Sequence, residues 1–499
     1  MSHKPSVRDT LLNLFAACAR HLAGVVAGLF TIPLIARAMG AEGLGAWAVL
    51  STTGYLMVLS DLGLSVSVQR TAARPDDEAT RRMMRLALLV VSVVCPLLSV
   101  GAYGLLVWLP SEQSSALQAD VARAAVPMLL AGLVGSLANP LRGFLIMRNA
   151  FPVLARGRAY ASGVQVGITA LGLSLSPTLL APTLGVLASS FVEAFIMVRA
   201  ARRIDPGLSL RPGWPEHREE VRDAFRQGSA ALAINFGVAA AVRADVLILT
   251  TYLPLAAVGA YQVASRAVDQ VAVFARQVCA WLLHRLGTAE ERSSAVRLGT
   301  AAMGGLVSSG LLALWLDGAA LLRAWAGPVA GEALTSLTLA ILGIAAVIYA
   351  VQEASAATLT LSNDSAWQAA YPILLGHMLN VAVSLVGVRY FGASAVAGGT
   401  VCGNLLVAVL IWSRARALMR WRLSQVWRTL APVLGATVVA GAAGWGLAPL
   451  TEGHPLLSFT VCGVVTLLGT GTALGLWWRR DATHVDAPAP VAVELSAAE

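Results

Sequence analysis

Charged residues are scarce in this chain, where they make up 13% of 499 residues, against about a quarter in typical soluble domains. Lysine is nearly absent, since Lys4 is its one occurrence, and the net charge of +9 therefore comes from arginine. Hydrophobic residues make up 57%, and the mean hydropathy is +0.71. This composition excludes an ordinary soluble domain and indicates a polytopic membrane protein.

The motifs of common catalytic and metal sites are also missing. The sequence has no HExxH pair, no glycine-rich phosphate loop after a strand and no CxxC pair. The five cysteines lie in apolar runs and are interpreted as small buried residues; they are Cys18, Cys95, Cys279, Cys402 and Cys462. We therefore expect a protein that is not an enzyme, with no catalytic residue, no metal and no cofactor.

Long apolar runs fill almost the whole sequence and predict an all-α integral membrane protein with about 14 transmembrane helices. Each run is near or above the ~20 residues that a helix needs to cross a bilayer. Their approximate bounds are 11–36, 44–69, 86–109, 121–147, 159–176, 179–198, 228–253, 257–283, 299–322, 333–361, 368–388, 394–413, 430–449 and 456–478.

Arginine alternates between the connections of these runs. Clusters occur in the connections within 70–85, 148–158, 199–226, 285–297, 414–428 and 479–480, whereas 110–120, 176–183 and 451–455 contain no basic residue. Because basic residues favour the cytoplasmic side, this pattern predicts a multi-pass membrane protein with both termini cytoplasmic.

A short internal echo predicts two related halves. Residues 45–49 (Gly-Ala-Trp-Ala-Val) resemble residues 259–263 (Gly-Ala-Tyr-Gln-Val) at an offset of 214, and each segment follows a tight corner. The even number of spans between them indicates a parallel repeat of six-helix lobes. The predicted units are an N-terminal lobe (1–198), a cytoplasmic linker (199–227), a C-terminal lobe (228–413), an amphipathic linker (414–429), two extra helices (430–478) and a disordered tail (479–499).

Several polar side chains fall at membrane depth, where a charge is costly unless it faces a partner or a polar cavity. The basic and amide residues are Arg20, Arg243, Arg266, Arg276 and Asn13, and the acids are Asp61, Asp245, Asp269 and Glu353. One interpretation is a cationic cavity between the lobes, which suits an anionic substrate because guanidinium groups match phosphate oxygens.

Structural pairing is the alternative for each of these residues. Asp61 could neutralise Arg20, Asp245 could neutralise Arg243, and Asp269 could neutralise Arg266 or Arg276. Other ionisable residues have simpler interpretations. Arg142 and Glu193 lie near span ends and are expected to snorkel toward water, and His377 is expected to be an interior histidine.

The first hairpin and its counterpart resemble Wzx-type polysaccharide flippases of the multidrug/oligosaccharidyl-lipid/polysaccharide exporter superfamily. The matching residues in the first half are 33–37 (Pro-Leu-Ile-Ala-Arg), Gly40, 42–45 (Glu-Gly-Leu-Gly), 61–64 (Asp-Leu-Gly-Leu) and Arg70. In the second half they are 243–249 (Arg-Ala-Asp-Val-Leu-Ile-Leu), 252–255 (Tyr-Leu-Pro-Leu) and 258–261 (Val-Gly-Ala-Tyr).

The resemblance implies a protein of the bacterial inner membrane that moves a polyprenyl-pyrophosphate-linked oligosaccharide from the cytoplasmic to the periplasmic leaflet, for exopolysaccharide or O-antigen synthesis. It implies ion-coupled alternating access, with Asp61, Asp245, Asp269 and Glu353 as candidates for the coupling ion. The implied partners are the lipid-linked substrate, membrane lipids, and a polysaccharide polymerase with its co-polymerase, and nucleic acid is not among them.

Three other functions remain open at this point. A peptidoglycan-precursor flippase would share the span count and a cationic cavity, but the hairpin lacks a Ser-Arg-rich opening. A drug/cation antiporter of the same superfamily would be expected to have twelve spans and an acidic cavity. A polysaccharide polymerase would need a large periplasmic loop, and no predicted periplasmic connection exceeds about a dozen residues.

Overall fold

A computed structural model describes residues 7–73, 76–108, 115–214, 218–283, 289–328, 336–361, 366–419, 423–447 and 455–483. These residues form helices and connections and contain no β-strand. The helices are α1 (Val7–Leu56), a short 3-10 helix (Met57–Asp61), α2 (Leu64–Ala72), α3 (Asp77–Trp108), α4 (Ser115–Met147), α5 (Phe151–Leu175), α6 (Leu180–Ile204), α7 (Arg218–Tyr252), α8 (Leu255–Leu283), α9 (Ala289–Ala326), α10 (Ser336–Leu361), α11 (Ala366–Phe391), α12 (Ala393–Met419), α13 (Leu423–Leu447) and α14 (Pro455–Thr483).

The predicted first hairpin is a pair of helical arms within α1 that meet at Gly40. Gly40 has φ 70° and ψ −166°, a conformation that side chains with a Cβ avoid, so the glycine permits the reversal. The second arm continues through the 3-10 helix into α2. Between these two segments Leu62 and Gly63 both adopt left-handed conformations, which break the helix.

Helix length and composition support a membrane fold. Within the described ranges, nine helices are long and apolar enough to cross a bilayer: Cys18–Asp61, Asp77–Gly104, Leu117–Met147, Leu180–Ile204, Arg218–Tyr252, Val296–Leu316, Leu337–Leu359, Ala366–Phe391 and Ala393–Leu418. Two shorter apolar helices are Leu434–Ala443 and Thr460–Thr472. The all-α membrane architecture is therefore confirmed, and the count of 14 spans stays a prediction.

The helices pack mainly in two groups. Helices α1 to α6 contact one another, and so do α7 to α12. The groups meet chiefly where α1 packs on α8 and where α2 packs on α7, while α13 and α14 pack on α9. A continuous buried core runs across the α1–α8 boundary, with Leu44 and Leu50 on one side and Val258 and Val263 on the other.

The connection between the two groups is shorter than the 199–227 segment that the sequence predicts, because α6 runs to Ile204 and α7 begins at Arg218. Its described part is attached to α3. Arg81 donates two hydrogen bonds to the Asp205 carboxylate, at 2.9 and 2.7 Å, and the Gly213 N–H donates to the Arg85 carbonyl at 3.2 Å. The Arg81 hydrogen bonds hold the pKa of Asp205 below its ordinary value of 3.8.

Two other predicted segments can be followed only in part. In the amphipathic linker, α12 reaches Met419 and α13 begins at Leu423, whereas residues 420–422 lie outside the described part of the chain. The predicted tail starts inside α14, which extends to Thr483, and residues 484–499 also lie outside.

Candidate functional site

At one end of the bundle, α1 and α8 cross with their backbones in contact. A methyl group on Gly45 would lie 2.0 Å from the Leu255 carbonyl oxygen, and one on Gly259 would lie 2.3 Å from that of Ala41. Ala41 and Leu255 are 214 residues apart, as are Gly45 and Gly259. The two close approaches are therefore equivalent positions of the sequence echo, which is the arrangement that a two-fold repeat produces. We call this crossing the corner contact.

At the opposite end, α2 and the start of α7 make a second backbone approach, which we call the α2–α7 contact. A methyl group on Gly63 would lie 2.2 Å from the Gly228 carbonyl oxygen. The Ser67 hydroxyl donates to the Ala224 carbonyl at 2.9 Å. Gly45 and Gly63 are 18 residues apart, or about 27 Å along a helix at 1.5 Å per residue. The two helix groups thus touch at both ends of their boundary.

Between these contacts lies a cavity of about 120 Å³ within the second helix group. Among its lining residues are Arg243, Asp245, Arg266, Asp269 and His377. Arg243 is 7% exposed, and its guanidinium carbon lies 4.3 Å from the ring centre of Tyr55 in α1, so that this cation bridges the two groups. Its Nε has no hydrogen-bond partner among the described residues.

Asp245 lies two residues after Arg243 and is 5% exposed. Its Oδ2 accepts hydrogen bonds from the Tyr261 hydroxyl at 2.7 Å and from the Thr400 hydroxyl at 3.1 Å, and its Oδ1 accepts from Asn380 Nδ2 at 3.5 Å. No salt bridge within 4.0 Å joins Asp245 to a described basic residue, so the suggested pairing with Arg243 is absent there. A buried carboxyl held by neutral donors from three other helices can exchange a proton or a small cation.

The remaining predicted acids have different surroundings. Asp61 is 5% exposed, and its Oδ1 accepts a hydrogen bond from the Gly63 N–H at 2.8 Å, so it caps the helix break before α2. Asp269 lines the cavity, and both it and Arg266 lie within electrostatic range of Arg243. Glu353 is half-buried on α10.

Two predicted binding residues cannot be assigned contacts. Asn13 and Arg276 belong to α1 and α8, but their side chains lie outside the described part of the structure. His377 is buried on the wall of the cavity, as expected for an interior histidine.

Arg20 belongs to another cluster, away from Arg243. Its electrostatic neighbours are Arg142, Arg158 and Glu193, from α4, α5 and α6. Glu193 is 7% exposed and bridges the two neighbouring arginines, at 3.3 Å to Arg142 Nη2 and 3.2 Å to Arg158 Nη1. The expectation that Glu193 snorkels is therefore wrong, because its buried carboxylate is held by two partly exposed arginines. For Arg142, snorkelling stays a prediction. We call these four residues the Glu193 cluster.

Sequence reasoning missed the residues around Asp245. Asn380 interrupts an apolar run and could have been noted as a polar residue at membrane depth, and Tyr261 was noted only as part of the repeat. Thr400 and Tyr55 gave no signal, because hydroxyl and aromatic residues are ordinary in membrane helices. Their roles depend on helix packing that the sequence pattern does not specify.

Comparison with known families supports one relationship by sequence. A family model described as "Polysaccharide biosynthesis protein" matches residues 11–276, which is more than half of the chain and includes Arg20, Asp61, Arg243, Asp245 and Asp269. No curated protein sequence matches the chain significantly.

Solved structures are similar to this chain in fold over most of its length. A lipid II flippase MurJ in an inward closed conformation superposes with a TM-score of 0.67 and 12% identity, covering 94% of this chain and 99% of that protein. An inward-facing multidrug resistance MATE family transporter superposes with a TM-score of 0.62 and 14% identity, covering 80% of this chain and 94% of that protein. A third structure is a MOP superfamily transporter from Pyrococcus furiosus, described as having a binding pocket of reverse polarity. Its TM-score is 0.59 at 13% identity, covering 83% of this chain and 95% of that protein.

Proposed function

Because the chain belongs to the polysaccharide biosynthesis protein family, we propose that it is a flippase for a polyprenyl-pyrophosphate-linked oligosaccharide. In this proposal the substrate moves from the cytoplasmic to the periplasmic leaflet of the bacterial inner membrane, and exopolysaccharide or O-antigen synthesis consumes it. The fold supports transport, since the structural neighbours are a flippase and transporters that cover most of the chain. The basic connections support cytoplasmic termini.

The observation that carries the substrate class is the buried Arg243. It stacks on Tyr55 across the boundary between the helix groups, with an unsatisfied Nε and no carboxylate within 4.0 Å among the described residues. Asp269 lies within electrostatic range of Arg243 without forming an ion pair with it, and Arg266 adds a like charge. The buried charge of Arg243 is therefore incompletely compensated, and an anionic substrate would lower that cost. Its fork of donors matches two phosphate oxygens, which a lysine cannot reproduce.

Alternating access would use the two contacts between the helix groups. Opening the α2–α7 contact exposes the boundary to the cytoplasm, whereas opening the corner contact exposes it to the periplasm, given the proposed orientation. The sugar and pyrophosphate then pass between the groups, and the polyprenyl tail stays in the bilayer. At both contacts a glycine lets the two backbones approach closely. Opening either end would also separate buried apolar side chains, such as Leu44 and Val258 at the corner contact.

Asp245 is the acid that the geometry favours for ion coupling. Three neutral donors surround it, while Asp61 is occupied as a turn cap. Binding of a proton or a sodium ion would replace or reorganise the hydrogen bonds from Tyr261, Asn380 and Thr400. Those donors come from α8, α11 and α12, so this exchange would change the hydrogen bonds that join α7 to three other helices of the second group.

Transport in proteoliposomes tests the proposal. The purified chain should move a fluorescent polyprenyl-pyrophosphate-linked oligosaccharide between leaflets, and Arg243→Ala should abolish this movement. Arg243→Lys should restore it only in part because it keeps the charge without the fork. Arg414→Ala is the matched control at the end of α12, where Arg414 donates only to the Gln368 carbonyl among described residues.

The same assay separates the alternatives. Movement of the peptidoglycan lipid precursor in preference to oligosaccharide substrates would favour the precursor flippase. Uptake of organic cations that survives Arg243→Ala would favour a drug antiporter. Normal oligosaccharide transport by Arg243→Ala would remove the structural support for an anionic substrate.

A further inference from the structure

The Glu193 cluster carries more positive charge than its carboxylate can neutralise. Arg20, Arg142 and Arg158 give three formal positive charges against the single negative charge of Glu193. Asn139 adds only a neutral acceptor, at 2.6 Å from Arg142 Nη1. The cluster therefore has a formal charge of +2.

The arginines are also incompletely satisfied. Arg142 Nε is buried and has no hydrogen-bond partner among the described residues. The side chains of Arg142 and Arg158 are 28% and 33% exposed, so another group can approach them. Gly24, one turn after Arg20 in α1, lies against the Arg158 guanidinium, where a methyl group would be 3.4 Å from it. The guanidinium groups are thus gathered against a helix surface without a large side chain.

This cluster lies at a different depth from Arg243. Subtracting the repeat offset of 214 places Arg243 at the position of Leu29, nine residues beyond Arg20. Nine residues correspond to about 14 Å along a helix, so Arg20 lies farther from the corner contact than Arg243 does. The two clusters share no electrostatic neighbour among those identified for Arg20 and Arg243.

We propose that the Glu193 cluster is a separate anion site, which binds the diphosphate of the lipid-linked substrate before Arg243 does, with Glu193 as the counter-ion of the empty site. A diphosphate supplies more oxygens and more negative charge than one carboxylate, so it displaces Glu193 from Arg142 and Arg158. When the diphosphate leaves, Glu193 closes onto the two arginines again. This inference rests on the proposed function, because it assumes a substrate with a diphosphate.

Binding of geranylgeranyl diphosphate to the full chain in nanodiscs tests the site. Glu193→Gln should tighten binding at least threefold because the competing carboxylate is gone, even if the variant melts at a lower temperature. Arg142→Gln and Arg158→Gln should each weaken binding at least tenfold. A purely structural ion pair predicts the opposite for Glu193→Gln, namely weaker or unchanged binding together with lower stability, and that result would overturn the proposal.

Controls separate the site from general electrostatics and from transport. Asp77→Asn removes the carboxylate at the start of α3 that pairs with Arg148, the residue after the end of α4, and it should leave diphosphate affinity unchanged. Equal tightening in this variant would refute a specific site. Inorganic pyrophosphate should compete with the probe, whereas geranylgeraniol should not; competition by the alcohol alone would also refute it.

Two further variants keep the test decisive. If Glu193→Gln does not accumulate, Glu193→Asp, whose shorter side chain cannot span both arginines as well, should tighten binding to a smaller extent, and weaker binding would count against the site. Arg243→Ala should retain diphosphate binding at the cluster while losing transport. Oligosaccharide transport with unchanged diphosphate affinity in Glu193→Gln would refute this inference alone, whereas diphosphate binding without transport would refute the proposed function.

Discussion

Alanine at Gly45 should open the corner contact. Its methyl group would lie 2.0 Å from the Leu255 carbonyl oxygen, and ordinary contact begins at 3.4 Å, so α1 and α8 must separate locally by about 1.4 Å (3.4 − 2.0). The obstacle is backbone and cannot rotate away. Overpacking of this kind costs about 1–3 kcal/mol, which corresponds to a fall of roughly 5- to 150-fold in the population of the closed state relative to an open one.

Spin labels on Glu42→Cys and Ala256→Cys, in a background without native cysteines, would report the separation by double electron–electron resonance. The parent should show a short distance, and Gly45→Ala should transfer population to a longer one, with transport reduced. Gly163→Ala in α5 is the matched control, because its methyl group meets nothing within 4 Å. If folded Gly45→Ala keeps the parent distance distribution, the corner contact does not control opening at this end.

Three further outcomes follow from the structure. Gly228→Ala places a methyl group 3.1 Å from the Gly63 backbone and should open the α2–α7 contact more weakly than Gly45→Ala opens the other end, as measured with labels across α2 and α7. Asp245→Asn should retain substrate binding but lose dependence on a proton or sodium gradient, as measured by transport with each gradient imposed separately. Because the pKa of Asp205 is lowered in the folded state, its ionised carboxylate stabilises that state at any pH above its ordinary pKa of 3.8. This stabilisation is lost as the pH falls through the lowered pKa of the folded state. The connection 205–214 should therefore stay protected from proteolysis at pH 5, whereas Asp205→Asn should expose it at every pH tested.

The fold could be predicted well where local chemistry decides the structure. Gly40 lies between two apolar runs, and its positive φ makes the corner that the sequence indicates. The echo between residues 45–49 and 259–263 also proved informative, because its two glycines meet in the structure. The predicted helix ends were less accurate. The seventh apolar run was predicted to begin at residue 228, but α7 begins at Arg218 because charged residues continue the helix beyond its apolar part.

The candidate site was predictable only in part because its contacts join distant helices. Asp245 could be recognised as an acid in an apolar run, but Tyr261, Asn380 and Thr400 reach it from three other helices. The Glu193 cluster likewise depends on the packing of four helices, which no spacing within one helix reveals. Asp61 is a different case, since Asp-Leu-Gly is a local turn signal that the surrounding apolar residues obscured.

The two helix groups share their contact geometry but not their chemistry. Gly45 and Gly259 are equivalent under the offset of 214 and make equivalent backbone approaches. The same offset relates Asp245 to Thr31, which cannot carry a charge, and Arg243 to an apolar leucine. In the proposed mechanism the repeated crossing would let the groups rock about a common point, whereas a coupling ion at Asp245 would act on hydrogen bonds within the second group alone. Coupling would therefore arise from the departure from the repeat, because an ion that stabilised both groups equally would not bias the direction of opening.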